Sequence, residues 1–380
     1  MIKAQKTPNL LSAISLVTIL SLGGVTLSPV AYSKTPQLGE AKVFAPVPTP
    51  PGFPEGIAVQ DNKVYVCGPA AFGNQLPQAK VIAYNLNTGS QTNQYIIPDN
   101  PLNPQPHALA GCTFNEKSWL YVVDTHWGVR RINVKAQNLQ QNYAPPLPDL
   151  PTCTSVTPGT TCSPTLQDRP PLPNDIVFDK DGYAYISDSW QATIFRIPPH
   201  GGQPQIWFQD AALDGFLGAN GLRIDPTGQK MYIVKSLETF DFFSKGLIYT
   251  LPLVQQPLAT DLQIFYEYEP GTIPDGIAFG ESGKLYVALA LSGQISVLNP
   301  NATEAVRYSQ PATIPGTGQT LPLVNPANIA FNNQTRSLLV TNHASLVEPP
   351  DPDLFAIIEL FVDDTAVKKR GFNKIRKYRM

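Results

Sequence analysis

The chain has 380 residues with a formal net charge of −2, 39 prolines and only 15% charged residues. Long helical Ala/Glu/Lys/Leu runs are missing and proline is about twice its usual share, which excludes a helical bundle and favours a single all-β body. The near-neutral to acidic balance excludes nucleic acid as an expected partner.

The first 33 residues read as an export signal. Lys3 and Lys6 give a positive start, Leu10 to Leu27 is mostly apolar, and Ala31-Tyr32-Ser33 is a small-residue cleavage pattern. The expected location is therefore the periplasm or the exterior, with an uncleaved anchor as the alternative. Without Lys3 and Lys6 the chain carries 25 basic and 29 acidic residues. Seven of those basic residues crowd the last thirteen positions, so a basic tail over 367–380 follows a strongly acidic body. Contact with anionic lipid is expected, if anywhere, only through that tail.

From residue 34 to 366 one pattern repeats six times. It begins at Pro54-Glu55-Gly56-Ile57-Ala58, Pro106-His107-Ala108-Leu109-Ala110, Pro173-Asn174-Asp175-Ile176-Val177, Ala219-Asn220-Gly221-Leu222-Arg223, Pro274-Asp275-Gly276-Ile277-Ala278 and Pro326-Ala327-Asn328-Ile329-Ala330. Each start is followed by a polar turn, such as Asp179-Lys180-Asp181-Gly182 or Asp225-Pro226-Thr227-Gly228, and then an alternating apolar strand such as Val64-Tyr65-Val66 or Leu285-Tyr286-Val287. A third strand follows in each repeat and a fourth in five of them. The blade-sized spacing predicts a six-bladed β-propeller with four-stranded antiparallel blades. The sixth repeat runs out of chain, so Ala41-Lys42-Val43-Phe44 is expected to supply its missing strand and close the ring.

Four cysteines in an exported chain permit disulfides. Cys153 and Cys162 fall in the Pro/Thr/Ser-rich insertion of about 143–173 and form the preferred pair, with Cys67 and Cys112 as a possible second.

Innermost strands of a propeller point their starting residues at the central tunnel, so homologous positions form a ring. On this alignment the ring holds Glu55, His107, Asn174, Asn220, Asp275 and Ala327. Two carboxylates and two amide oxygens on one axis are hard oxygen ligands, which suit Ca2+ better than Zn2+, although another divalent cation would also fit. The competing reading is that these residues only make turns. Ends of the second strands return to the same face and bring His126 and His343, so three histidines (His107, His126, His343) are candidates for proton transfer.

Pro54-Glu55-Gly56, Pro173-Asn174-Asp175, Asn220-Gly221-Leu222 and Pro274-Asp275-Gly276-Ile277-Ala278, the last followed by Gly283-Lys284-Leu285-Tyr286-Val287, resemble the metal-site motifs of the SMP-30/gluconolactonase/luciferin-regenerating family of the calcium-dependent phosphotriesterase superfamily. The resemblance spans about residues 40 to 365. It implies Glu55, Asn174, Asn220 and Asp275 as metal ligands, Asp275 also as base or nucleophile, and His343 as a pocket histidine. The activity it implies is Ca2+-dependent hydrolysis of lactones or organophosphate-like esters, with the small-molecule substrate polarised by the metal. Two departures are His107 at a ring position and the insertion, which is expected to rise over the tunnel mouth. The Arg/Asn set expected for a sugar-acid lactone is not recognisable. Two other readings fit the scaffold, namely a secondary-metabolism tailoring enzyme and a non-catalytic binding propeller of the NHL type with structural Ca2+.

Overall fold

The computed structural model describes residues 35–70, 78–99, 107–116, 118–136, 139–239 and 243–367. The expected export signal over 1–33, and the basic tail beyond residue 367, lie outside the described residues. Among the described residues no helix is long and apolar enough to cross a membrane.

Alternating apolar residues between polar turns fold into six sheets; in five of them four antiparallel strands follow chain order, whereas in the sixth the N-terminal strand is inserted between the third strand and a short outer hairpin. Their inner strands are Ile57–Gln60, Leu109–Glu116, Pro173–Phe178, Leu217–Ile224, Pro274–Phe279 and Pro326–Asn332. Each inner strand packs against those of the blades before and after it, and the first also packs against the sixth, so the blades form a closed ring.

Closure follows the expected device. The strand Ala41–Pro46 pairs antiparallel with Ala356–Phe361, the third strand of the sixth blade, in the register Ala41↔Leu360 to Pro46↔Ala356. A short hairpin of Ala312–Thr313 and Thr320–Leu321 then pairs with the outer side of Ala41–Pro46. Pairing of Lys42 with Thr313 covers part of the outer edge of that strand, which shortens the edge open to association.

The repeated second-strand tyrosine has a packing role. Tyr65, Tyr121, Tyr232 and Tyr286 each meet, edge to face, a phenylalanine in the inner strand of the next blade: Phe114, Phe178, Phe279 and Phe331, at centroid separations of 4.7 to 5.4 Å. These pairs fill the seams with apolar area in a favoured ring geometry. Between the third and fourth blades Tyr185 instead packs on Trp207 of its own blade, at 4.8 Å.

Both expected cysteine pairs are at disulfide distance. Cys153–Cys162 closes a loop in the insertion, and Cys67–Cys112 joins the second strand of blade 1 to the inner strand of blade 2. The turn residues also act as expected. Asp179 accepts from the backbone N–H of Asp181 and Tyr183, and Asp225 from those of Gln229 and Lys230.

Near its start, each inner strand of blades 2 to 6 shifts register by one residue, between Leu109 and Cys112, Pro173 and Ile176, Ala219 and Leu222, Pro274 and Ile277, and Pro326 and Ile329. A bulge turns two consecutive residues toward the axis instead of one. The second of the two is glycine in four blades (Gly56, Gly111, Gly221, Gly276) because the neighbouring strand passes against it. A β-carbon on Gly276 would lie 2.5 Å from the Ala327 carbonyl oxygen and 2.7 Å from the Asn328 Cα. Gly276→Ala is therefore expected to destabilise the fold by about 1–3 kcal/mol through overpacking, read as a lowered urea midpoint with an unchanged m-value.

Candidate functional site

The bulges set which residues share the ring. Glu55, Asn174, Asn220, Asp275 and Ala327 hold one phase, as expected. In blade 2 that phase belongs to Ala110, since Leu109 pairs with Asp124 and Cys112 with Val122. His107 lies three residues earlier, in the connector before the strand, which corrects its placement in the ring. Its Nδ1 makes a short contact to the fully buried Asp124 carboxylate, its Nε2 is 3.2 Å from Asp99 Oδ1, and its ring tilts against Trp127 at 5.8 Å. The same phase of the second strand ties down connectors elsewhere: Asp188 accepts from Leu172 N–H, and Asn342 from Val324 N–H. His107–Asp124 is the blade 2 form of that tie, with an imidazole in place of a backbone amide. The other end of the Asp124 carboxylate accepts from the His126 backbone, while the His126 side chain is exposed on the turn.

Glu55, Asn220 and Asp275 are drawn together with Asp175. Glu55 is held well above the usual carboxylate range, first by burial and then by the negative charges of Asp275 and Asp175. Asp275 is pushed up to about 8 by burial and by Asp175, against a hydrogen bond from Asn220 that pulls it down. Asn220 donates through Nδ2 to Ser236 Oγ at 2.9 Å, which leaves its Oδ1 buried with no hydrogen-bond partner. Asn174 keeps its ring phase, partly exposed, without a side-chain hydrogen bond among the described residues.

His343 stands beside this group. Its Nε2 is 3.2 Å from the Ala70 carbonyl oxygen, which can only accept, so Nε2 carries the proton and Nδ1 is left as an acceptor 3.8 Å from Glu55 Oε2. Burial pulls His343 down to about 4 while it pushes Glu55 up. The two are within ion-pair reach, yet at neutral pH desolvation favours the uncharged form of each. Phe53 packs on the imidazole edge at 5.9 Å.

Beneath the ring lies an element that the sequence reading did not single out. Arg223 reaches across the axis, with Nη1 2.5 Å from Asp175 Oδ2 in blade 3 and Nη2 3.1 Å from Asn328 Oδ1 in blade 6, the opposite blade. Asp175 and Asn328 occupy the phase that is glycine in the other four blades. Asp175 is 1% exposed and also accepts from the backbone N–H of Leu222 and Ile176. The other repeats carry Ala58, Thr113, Val177, Ala278 and Ala330 at the Arg223 position, so a lone basic residue among small ones was the available signal.

Two carboxylates kept from ionising by burial and mutual repulsion, beside an unpartnered buried amide oxygen, make a donor set that fits a hard divalent cation. Among the described residues no group of three or more His, Cys, Asp or Glu is placed to hold a metal; the set described here has two carboxylates and two amides. The expected insertion is present on the same face and is bound to blade 3: Ser163 Oγ donates to the Gln191 carbonyl and Gln209 Nε2 to the Cys162 carbonyl.

In chelator, the folded chain between the ordinary carboxylate range and about pH 8 holds a proton on Asp275 that the unfolded chain has lost. Stability without added cation is therefore expected to fall as pH rises through that window, and Asp275→Asn to flatten the slope, by denaturant titration at several pH values. A divalent cation bound to Asp275 would displace that proton, and the Glu55 proton where that is held too, so calcium affinity by calorimetry is expected to rise with pH by about tenfold per unit or more below about pH 8. Arg223→Met strands the buried Asp175 charge and is expected to cost about 3–5 kcal/mol, most of it regained in the Asp175→Asn/Arg223→Met double variant.

The family model described as the SMP-30/gluconolactonase/LRE-like region matches residues 109–343. Among solved structures, the calcium-binding protein regucalcin from Agrobacterium tumefaciens is similar with a TM-score of 0.56 and 14% identity, over 86% of this chain and 95% of that one. A gluconolactonase from Xanthomonas campestris gives a TM-score of 0.52 and 15% identity over 86% and 91% of the two chains. A luciferin-regenerating enzyme gives 0.52 and 11% over 83% and 93%. No curated protein matches the sequence significantly.

Proposed function

This chain belongs to the SMP-30/gluconolactonase/LRE-like family, and from that premise we propose that it is an exported Ca2+-dependent hydrolase of lactones or organophosphate-like esters. The observation that carries the reading is the charge deficit at the tunnel centre. Arg223 is paired with Asp175, whereas among the described residues Glu55 and Asp275 have no lysine or arginine within ion-pair distance, the neighbour of Glu55 at 3.8 Å being the uncharged His343, and both are held above their usual range. Two such carboxylates are balanced by one divalent cation.

Glu55, Asn174, Asn220 and Asp275 would hold that cation. Bound there, Ca2+ supplies Lewis-acid polarisation of the substrate's carbonyl or phosphoryl oxygen. Asp275, ionised in that state, takes the proton of an attacking water or attacks the electrophile itself. His343, neutral at physiological pH with its Nε2–H fixed on Ala70, offers Nδ1 as a hydrogen-bond acceptor beside Glu55. Export is supported by the sequence of residues 1–33, and the two cysteine pairs suit an oxidising compartment.

Asp275→Ala, assayed on a panel of lactones, aryl esters and phosphotriesters, is expected to lose at least about a hundredfold in kcat/KM, and wild-type turnover to vanish in chelator. Turnover indifferent to both treatments refutes the proposal. A second reading, condensation or elimination by a tailoring enzyme, is favoured by the His107–Asp124 contact beside Trp127. It predicts no turnover of any hydrolase substrate, together with a metabolite phenotype in a His107→Ala strain.

A further inference from the structure

The insertion between blades 2 and 3 carries an arginine whose surroundings do not neutralise it. Arg169 sits five residues ahead of Asn174, with its guanidinium carbon 5.5 Å from the Phe216 ring centroid and 5.9 Å from that of Trp190. Its polar contacts are the Gly215 carbonyl oxygen at 3.4 Å from Nη1 and a short bond from Nη2 to Gln167 Oε1, both neutral acceptors. Among the described residues no carboxylate lies within ion-pair distance. The nearby Asp214 uses Oδ2 to accept from the Leu166 N–H. A guanidinium has five donors, and the contacts here occupy two of them.

The mounting is stiff. The Trp190 indole N–H donates to the Phe216 carbonyl at 2.8 Å, and the backbone N–H of Gly218 bonds to the Ser189 carbonyl. The loop itself is fixed by the Cys153–Cys162 disulfide and by Ser163, Leu166 and Gln209. Trp190 follows the end of the second strand of blade 3, and Phe216 stands four residues ahead of the ring residue Asn220, so both belong to the tunnel-mouth end of their blades. Neither ring is fully buried. An arginine stacked on aromatic faces, held by neutral acceptors and left without a counter-ion is a preorganised receptor for a planar oxyanion.

We propose that Arg169 recognises an oxyanion, a carboxylate or a phosphate, on a ligand whose apolar or aromatic body lies against Trp190 and Phe216 at the tunnel mouth. The inference rests on the reading of the tunnel as a small-molecule site and deepens it. The hydroxycarboxylate released by opening a lactone has this chemistry, as does a lactone bearing an acidic substituent. Arg169 then sets specificity at the mouth, some residues removed from the reacting atoms.

The probes are 3-phenyllactate, phenyl phosphate and the uncharged 3-phenylpropanol, titrated by tryptophan fluorescence and calorimetry with calcium and again in chelator. Wild type is expected to bind at least one of the two anions in both conditions. Arg169→Ala should weaken that binding by on the order of tenfold to a hundredfold and leave phenylpropanol unchanged, while Arg169→Lys recovers part of the loss. Whichever anion shows the larger loss identifies the oxyanion. Equal affinity for wild type and Arg169→Ala overturns the proposal, as does binding of neither anion. Arg169→Gln, with a thermal melt, guards against a loss caused by loop unfolding. Turnover is not read, so a failed hydrolase assay leaves Arg169's role standing, and a silent Arg169 leaves the hydrolase reading standing.

Discussion

Where the inner strands bulge, their backbones come so close that a β-carbon on Gly221 would run into the Asp275 carbonyl oxygen, and one on Gly111 would stand 2.6 Å from Asp175 Oδ1. That crowding decides what the centre of the molecule can contain. Each bulge delivers a pair of residues to the axis, and the second must be glycine unless its side chain has somewhere to go. Only Asp175 and Asn328 have one, and they lie on opposite blades, each reached by Arg223. The first residue of each pair is freer, and there Glu55, Asn220 and Asp275 come together, with Asn174 at the same phase of its strand.

The result is a tunnel with two charge layers. Below, Asp175 and Arg223 form a buried pair with further hydrogen bonds on the carboxylate, the arrangement in which such a pair is tolerated. Above, Glu55 and Asp275 feel the negative field of Asp175 as well as each other, and burial withholds water from both. The lower pair thus makes the upper pair harder to ionise. A protein that only needed a filled tunnel would be served by more residues like Ala58 and Ala330, since buried polar groups cost stability when imperfectly satisfied.

The frame was legible because each repeat restates it locally: a turn of known chemistry and a period-two strand, with a tyrosine that seals the next seam in four of the six. The phase of the inner-strand starts was legible for the same reason in five blades. Blade 2 misled because Pro106-His107-Ala108 imitates the repeat start three residues early, and the true phase is fixed by pairing between Leu109 and Asp124, which no local pattern reports. Arg223 stood out by type but not by purpose, since its partners come from strands 48 and 105 residues away. The insertion was expected over the mouth, yet what it presents there depends on anchors such as Gln191, Gln209 and Asp214, all distant in sequence.

The closing strand has a mechanical consequence. Ala41 is paired with Leu360, so the segments leading out to the two termini leave the sixth blade from the same end of one antiparallel pair. Tension between them would open that pair one rung at a time, as a zip, instead of loading all its hydrogen bonds together in shear. The hairpin of Ala312–Thr313 and Thr320–Leu321 holds the outer flank of Ala41–Pro46 but does not change that geometry. A pull on the termini would therefore first strip residues 364–366 from blade 5, where the Glu281 N–H donates to the Thr365 carbonyl and Ser282 and Tyr286 donate to Asp364, and would then open that pair before the five other blades, each made from one unbroken stretch of chain, yield.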